Sequence, residues 1–155
     1  MAWMVVRVRG GLLARGDIVE TMQFLHLTRP NHATIVPEDR EMRGMLNKVQ
    51  GYITWGEVDA DTLTMLLNAR GRDPKGRSLG ASKDAAGDAS AKPVDVSAVA
   101  KQAMEVGLSR VDSVRPLFRL KAPKGGWRST KKPYKLGGAL GYRGSAINEL
   151  ARRMV

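Results

Sequence analysis

The chain has 155 residues, 43% apolar and 26% charged, which is enough to bury one ordinary core and too apolar for disorder throughout. Its 26 Lys and Arg against 15 Asp and Glu leave a net charge of +11, which points to a polyanionic partner, nucleic acid before a membrane surface. The absence of cysteine excludes a disulfide scaffold, a thiol nucleophile and any cysteine-ligated zinc or iron–sulfur site, and two histidines leave little for other transition metals.

The elements begin with a strand at Trp3–Arg9, with Met4, Val6 and Val8 on one face and Arg7 and Arg9 on the other. This apolar start is too short for a signal peptide, and no stretch reaches the ~20 apolar residues of a membrane helix, so a soluble cytoplasmic chain is expected. Asp17 and Glu20 read as a capping box opening a helix from Ile18 to about Leu27, with Ile18, Met22 and Leu25 on one stripe. Pro30 and Asn31 stop it, and Ala33–Val36 is a short β-branched strand. A second helix presents Met42, Met45, Leu46 and Val49 at core-facing spacing. Gly51 closes it, and Tyr52–Val58 is a third strand.

A third helix, capped by Asp59 or Asp61, carries Leu63, Leu66 and Leu67. Residues 71–93 are Gly, Ala, Ser, Asp and Lys with almost nothing apolar, a mobile linker or long loop. Helical spacing returns at Val96, Val99, Ala100 and Ala103, with Gly107 as the residue after the helix. Pro116–Leu120 reads as a short strand, followed by a turn-rich basic run. A terminal helix then carries Ile147, Leu150, Ala151 and Met154 on one face. The resulting organisation is a 1–70 βαβαβ core with a trailing helix, a 71–93 linker and a 94–155 extension. The fold class is α+β, a ferredoxin-like sheet with helices on one face plus a helical, loop-rich extension.

The charge is uneven. Residues 109–155 hold 12 basic and 2 acidic residues, and Arg119–Arg143 holds no acidic one. Trp127, Tyr134 and Tyr142 are spaced among those lysines and glycines. Cations neutralise phosphates, aromatic rings stack on unpaired bases, and glycines admit a close sugar–phosphate backbone, so the run reads as an RNA contact. Few apolar anchors lie between Lys121 and Gly144, so this run is expected to be mobile without RNA. Elsewhere the chemistry is thin. Gly71-Arg-Asp-Pro-Lys-Gly-Arg-Ser misses a P-loop by its lysine, and no buried strand precedes it. Arg15-Gly16-Asp17 is a chance tripeptide, His26 and His32 have no third ligand at metal spacing, and no serine or lysine is framed by a base. No catalytic site, metal or cofactor is expected.

Three stretches carry a family resemblance. Leu27-Thr-Arg-Pro-Asn-His-Ala-Thr-Ile-Val with Arg43-Gly-Met-Leu-Asn-Lys-Val, then Gly51-Tyr-Ile-Thr-Trp-Gly, then Pro123-Lys-Gly-Gly-Trp with Gly137-Gly and Ile147-Asn-Glu-Leu-Ala-Arg-Arg-Met occur in that order. They resemble the large-subunit ribosomal protein family numbered thirty in bacteria and archaea and seven in eukaryotes, in its archaeal form. The resemblance spans most of the chain except residues 71–93, which depart from the family pattern. It implies a structural rRNA-binding protein of the large subunit, with a ferredoxin-like βαβαβ sheet, no catalysis and no cofactor. It also implies neighbouring ribosomal proteins and 5S rRNA as partners, with no membrane and no small-molecule substrate.

Residues of the matched stretches give the expected RNA contacts: Arg29, Asn31, His32, Arg43 and Lys48 from the core. From the extension come Lys124, Gly125, Gly126, Trp127, Arg128, Lys131, Lys132, Tyr134, Lys135 and Arg143, with Arg152 and Arg153 on the terminal helix. Two other readings share the scaffold. An acylphosphatase-like enzyme would use Val8-Arg9-Gly10-Gly11 and Arg15-Gly16 as a phosphate cradle, which leaves the basic C-terminal third unexplained. A nucleic-acid-binding protein outside the ribosome is the other.

Overall fold

The computed structural model describes residues 1–79 and 95–155. Within them the chain runs β1 (Ala2–Arg7), α1 (Gly16–Phe24), β2 (His32–Pro37), α2 (Arg40–Lys48), β3 (Ile53–Glu57) and α3 (Ala60–Arg70). It continues through α4 (Val96–Val106), β4 (Phe118–Arg119), β5 (Ser129–Pro133), β6 (Gly138–Tyr142) and α5 (Ala146–Met154). One sheet has the order β4-β2-β1-β3-β6-β5. β1 lies between β2 and β3 and is antiparallel to both, so β2 and β3 are parallel and α2 is their crossover. This is the expected α+β, ferredoxin-like βαβαβ sheet.

β1 is buried on both faces, where alternation predicts one. Met4 and Val6 join a core shared with Leu63, Leu66, Ala103 and Ile147, so α3, α4 and α5 cover that side. Trp3 and Val5 join Met22, Leu25, Leu46 and Val49, so α1 and α2 cover the other. The run Trp3-Met-Val-Val is therefore a near-continuous apolar strand of a doubly covered sheet. Arg7, expected outside, is 6% exposed. Its Nη1 donates to the Leu27 carbonyl at 2.7 Å and its Nε to the Arg9 carbonyl at 2.9 Å, which satisfies the buried cation. Burial lowers its pKa.

The helices keep their predicted stripes but not all their caps. Leu46 in α2 and Val49 just after it are fully buried, while Met42 and Met45 sit half-buried at the rim. The capping box at Asp17 does not form, because Arg15 is the residue before α1 and Asp17 lies inside its first turn. Asp17 accepts from the Ile18 amide at 3.0 Å and pairs with Lys48 instead. α1 ends at Phe24, earlier than expected, since His26 turns left-handed at φ +59. By contrast α4 is capped by Asp95, whose carboxylate accepts from the Ser97 amide at 3.1 Å, and it ends at Gly107, φ +83, as its spacing predicts.

Two segments differ from expectation. Residues 71–79 are a closed turn, not a loose linker: Arg72 bridges Ser78, the Leu79 amide donates to the Gly71 carbonyl at 3.0 Å, and the Leu79 side chain enters the core. One apolar side chain among polar neighbours is sufficient anchor. The rest of the expected linker, 80–93, lies outside the described residues.

The second difference is the basic run, which was expected to be turns. It supplies β5 and β6 instead, and β6 pairs in parallel with β3 through Thr54–Gly141 and Trp55–Tyr142. Gly138 permits the close approach of β5 to β6, because a Cβ there would collide with the Lys132 backbone carbonyl. Backbone pairing through β6 thus ties the run to the sheet.

Candidate nucleic-acid interface

Strand direction sorts the charge. β1 ends where β2, β3 and β6 begin and where β4 ends, as the pairs Val6–Ala33, Arg7–Ile53 and His32–Arg119 require. α5 follows β6 back toward that end, where the Met154 and Arg153 carbonyls receive the Lys121 and Lys124 amides at 3.0 and 2.9 Å. Arg9, Arg29, Arg119, Lys121, Lys124, Arg152 and Arg153 therefore cluster at one end of the sheet, all exposed. The opposite end carries Glu38, Glu57 and Asp59, beside Ala2–Pro37 and Trp3–Glu57. Arg119 and Lys121 fall in the basic run read as an RNA contact, and Arg9 in the cradle of the enzyme reading, but none was among the individual RNA contacts expected, because strand-end position is invisible before the register is known.

The core candidates divide. Arg29 is exposed at the cationic end. Asn31 builds the corner: its φ is +65, its amide donates to the Arg7 carbonyl at 2.8 Å and its carbonyl accepts from Leu120 at 3.2 Å. His32 is a strand residue 9% exposed, with Nδ1 3.3 Å from the Thr28 hydroxyl. Burial lowers its pKa, and Arg119, Arg29 and Arg7 lower it further, so it is a neutral ring at neutral pH and not a phosphate-binding cation. Arg43 and Lys48 are exposed on α2, Lys48 lying 3.8 Å from Asp17. Both ends of that pair are exposed, so it holds Lys48 weakly.

In the extension, Lys124, Arg128, Lys131, Lys132, Lys135 and Arg152 are exposed and form no ion pair among the described residues. Arg143 is different. Its Nε donates to the Thr54 hydroxyl and its Nη2 to the Ala139 carbonyl, both at 2.8 Å, and its guanidinium lies 4.8 Å from the centre of the Tyr134 ring. Burial lowers its pKa, and it acts as a strut joining β3, β6 and Tyr134. Arg153 is a second strut: Nε and Nη2 donate to the Lys124 carbonyl at 3.0 and 2.6 Å. That grip sets the Gly125–Gly126 turn, whose residues have φ +83 and +74. Trp127 is half-buried against the core. Between this turn, β6 and α5 lies a cleft of about 120 Å³ whose wall includes Gly126, Trp127, Arg128, Tyr134, Arg143 and Arg153. Tyr142 does not join them: its hydroxyl donates to the Glu57 carboxylate at the acidic end, which raises the phenol pKa.

The phosphate cradle of the enzyme reading is not built. Arg9 lies over the Tyr52 ring at 5.3 Å and reaches the Gly51 carbonyl at 3.4 Å, and Arg15 pairs with Asp17 at 3.5 Å. Fold and site define a small basic α+β protein whose exposed cations gather at one end of its sheet.

The family model described as ribosomal protein L30p/L7e matches residues 3–53, from β1 to the start of β3. The chain is 41% identical to the large ribosomal subunit protein uL30 of Methanococcus maripaludis, the alignment covering all of both chains. It is 40% identical to uL30 of Methanopyrus kandleri over 96% of this chain and 100% of that one, and 39% identical to uL30 of Thermoplasma acidophilum over 97% and 91%. The chain belongs to the ribosomal protein L30p/L7e family, as an archaeal-type member. That is a family of structural ribosomal proteins, and the chain is not an enzyme.

Proposed function

We propose that the chain is a structural constituent of the large subunit of the cytoplasmic ribosome, and that it grips rRNA through the cationic end of its sheet. The observation that carries this reading is the set of exposed cations gathered there from the loops beside β1, β2 and β4 and from α5, with Glu38, Glu57 and Asp59 at the other end. Lys124, Arg128, Lys131, Lys132, Lys135 and Arg152 supply most phosphate contacts and Arg29 and Lys48 fewer, while Arg43, in the first turn of α2 near Glu38 and Tyr142, is an outlying contact. Gly125 and Gly126 admit the backbone. Asn31, His32, Arg143 and Arg153 hold the surface in shape. Residues 1–70 thus position the chain and the extension does most of the binding. On the family pattern, 5S rRNA is one RNA neighbour. Leu12, Leu13 and Phe24, 97%, 96% and 70% exposed, fit a protein neighbour on the α1 side.

Co-sedimentation tests the assignment. The full chain should remain with large subunits through high salt, where adventitious binding of a basic protein is screened. Finding it free, or on DNA, contradicts the proposal.

A further inference from the structure

One residue in the cleft has no use in phosphate binding. Glu149 lies on its wall and is one of only two acidic residues in 109–155. Its natural partner is Arg153, four residues on, in the favourable Glu-before-Arg order. The pair does not form. Arg153 spends its guanidinium on the Lys124 carbonyl and reaches the Gly126 carbonyl at 3.5 Å, while Arg143 spends its own on Thr54 and Ala139. Glu149 is left with no ion pair or side-chain hydrogen bond among the described residues.

An ionised carboxylate only accepts hydrogen bonds. Set among arginines it repels phosphate, so it is the wrong group for the RNA backbone and the right one for an N–H edge. Trp127 and Tyr134 line the same cleft, and neither the indole N–H nor the phenol has a partner among the described residues. Trp127 is fixed by the core and Tyr134 by Arg143. Arg143 covers one face of Tyr134 and the core part of Trp127, so each ring has only its remaining surface to offer an unpaired base. A volume of about 120 Å³ is too small for a base pair and suits one base. Among the RNA bases, guanine alone places two donors, N1–H and the N2 amine, side by side against the two oxygens of a carboxylate.

We propose that the cleft receives a single unstacked guanine of rRNA, with Glu149 accepting from N1 and N2, an aromatic wall of Trp127 and Tyr134, and Arg128 at the rim toward phosphate. This rests on the rRNA-binding reading and narrows it to one subsite.

The test titrates the full chain with uridine hexamers carrying a central G, A, C or U, read by tryptophan fluorescence. Trp3 and Trp55 are 5% and 6% exposed, so quenching by a stacked base reports Trp127. The G hexamer should bind about tenfold tighter than the others, and Glu149→Gln, which places an amide donor against the N2 amine, should bring the four within about twofold. Four equal affinities in the native chain, a preference that survives Glu149→Gln, or no binding to any hexamer would each overturn the guanine subsite. The salt-dependent affinity for a large-subunit rRNA fragment is measured alongside. Its retention in those cases leaves rRNA binding standing, and its loss beside an intact guanine preference contradicts only the wider reading.

Discussion

Replacing Lys124, Arg128, Lys131, Lys132 and Lys135 together with Ala is expected to flatten the log–log salt dependence of rRNA-fragment affinity by roughly two to three units. Each lost phosphate contact removes about 0.7 to 0.9 units, and about three of five exposed cations are expected to touch phosphate at once. None of the five side chains is paired with an acid among the described residues, so their removal should leave the fold intact. Circular dichroism checks that before any slope is read. The comparison is Arg43→Ala with Lys48→Ala, which should change the slope by about one unit, since Lys48 is already shared with Asp17. A larger loss from the α2 pair would reverse the division of labour between core and extension.

The largest stability effect is expected at Leu46. It is fully buried between α2 and the Trp3–Trp55 side of the sheet, with no polar partner for a carboxylate. Leu46→Asp should cost about 4 kcal/mol or more, enough to unfold much of a small domain at room temperature. Met45→Asp, one residue away but half-buried at the rim, should cost about 1 kcal/mol, because its carboxylate can turn to water. Urea unfolding of the two full-length variants measures both. Equal costs would mean that the helix presents a different face to the sheet.

That contrast shows what the sequence carried. The 3.6-residue stripes of α2, α3, α4 and α5 were legible because each buries one face, and the βαβαβ order followed from the strands between them. The second buried face of β1 was less legible: Arg7 looks like a solvent residue until the Leu27 carbonyl is found beside it. β5 and β6 were not legible at all. Ser-Thr-Lys-Lys-Pro and Gly-Ala-Leu-Gly-Tyr lack period-2 alternation, and their pairing depends on a missing Cβ at Gly138 and on the Arg143 strut. The cations of the interface could be picked by charge alone. Charge could not show that Arg143 and Arg153 are committed to carbonyls, or that His32 lies buried and neutral. Nor could spacing show that the arginine due to Glu149 is taken elsewhere.

Ultraviolet cross-linking of intact ribosomes, read by mass spectrometry of this chain's peptides, tests the grip on rRNA most directly. Uridine and guanosine adducts are expected on peptides spanning Arg119–Lys135 and Ala151–Val155, with Trp127 and Tyr134 among the modified residues. Peptides around Glu38 and Asp59, at the acidic end, should carry none. Adducts concentrated at that acidic end, with the Arg119–Lys135 peptides unmodified, would contradict the assignment of the cationic end as the RNA-binding surface.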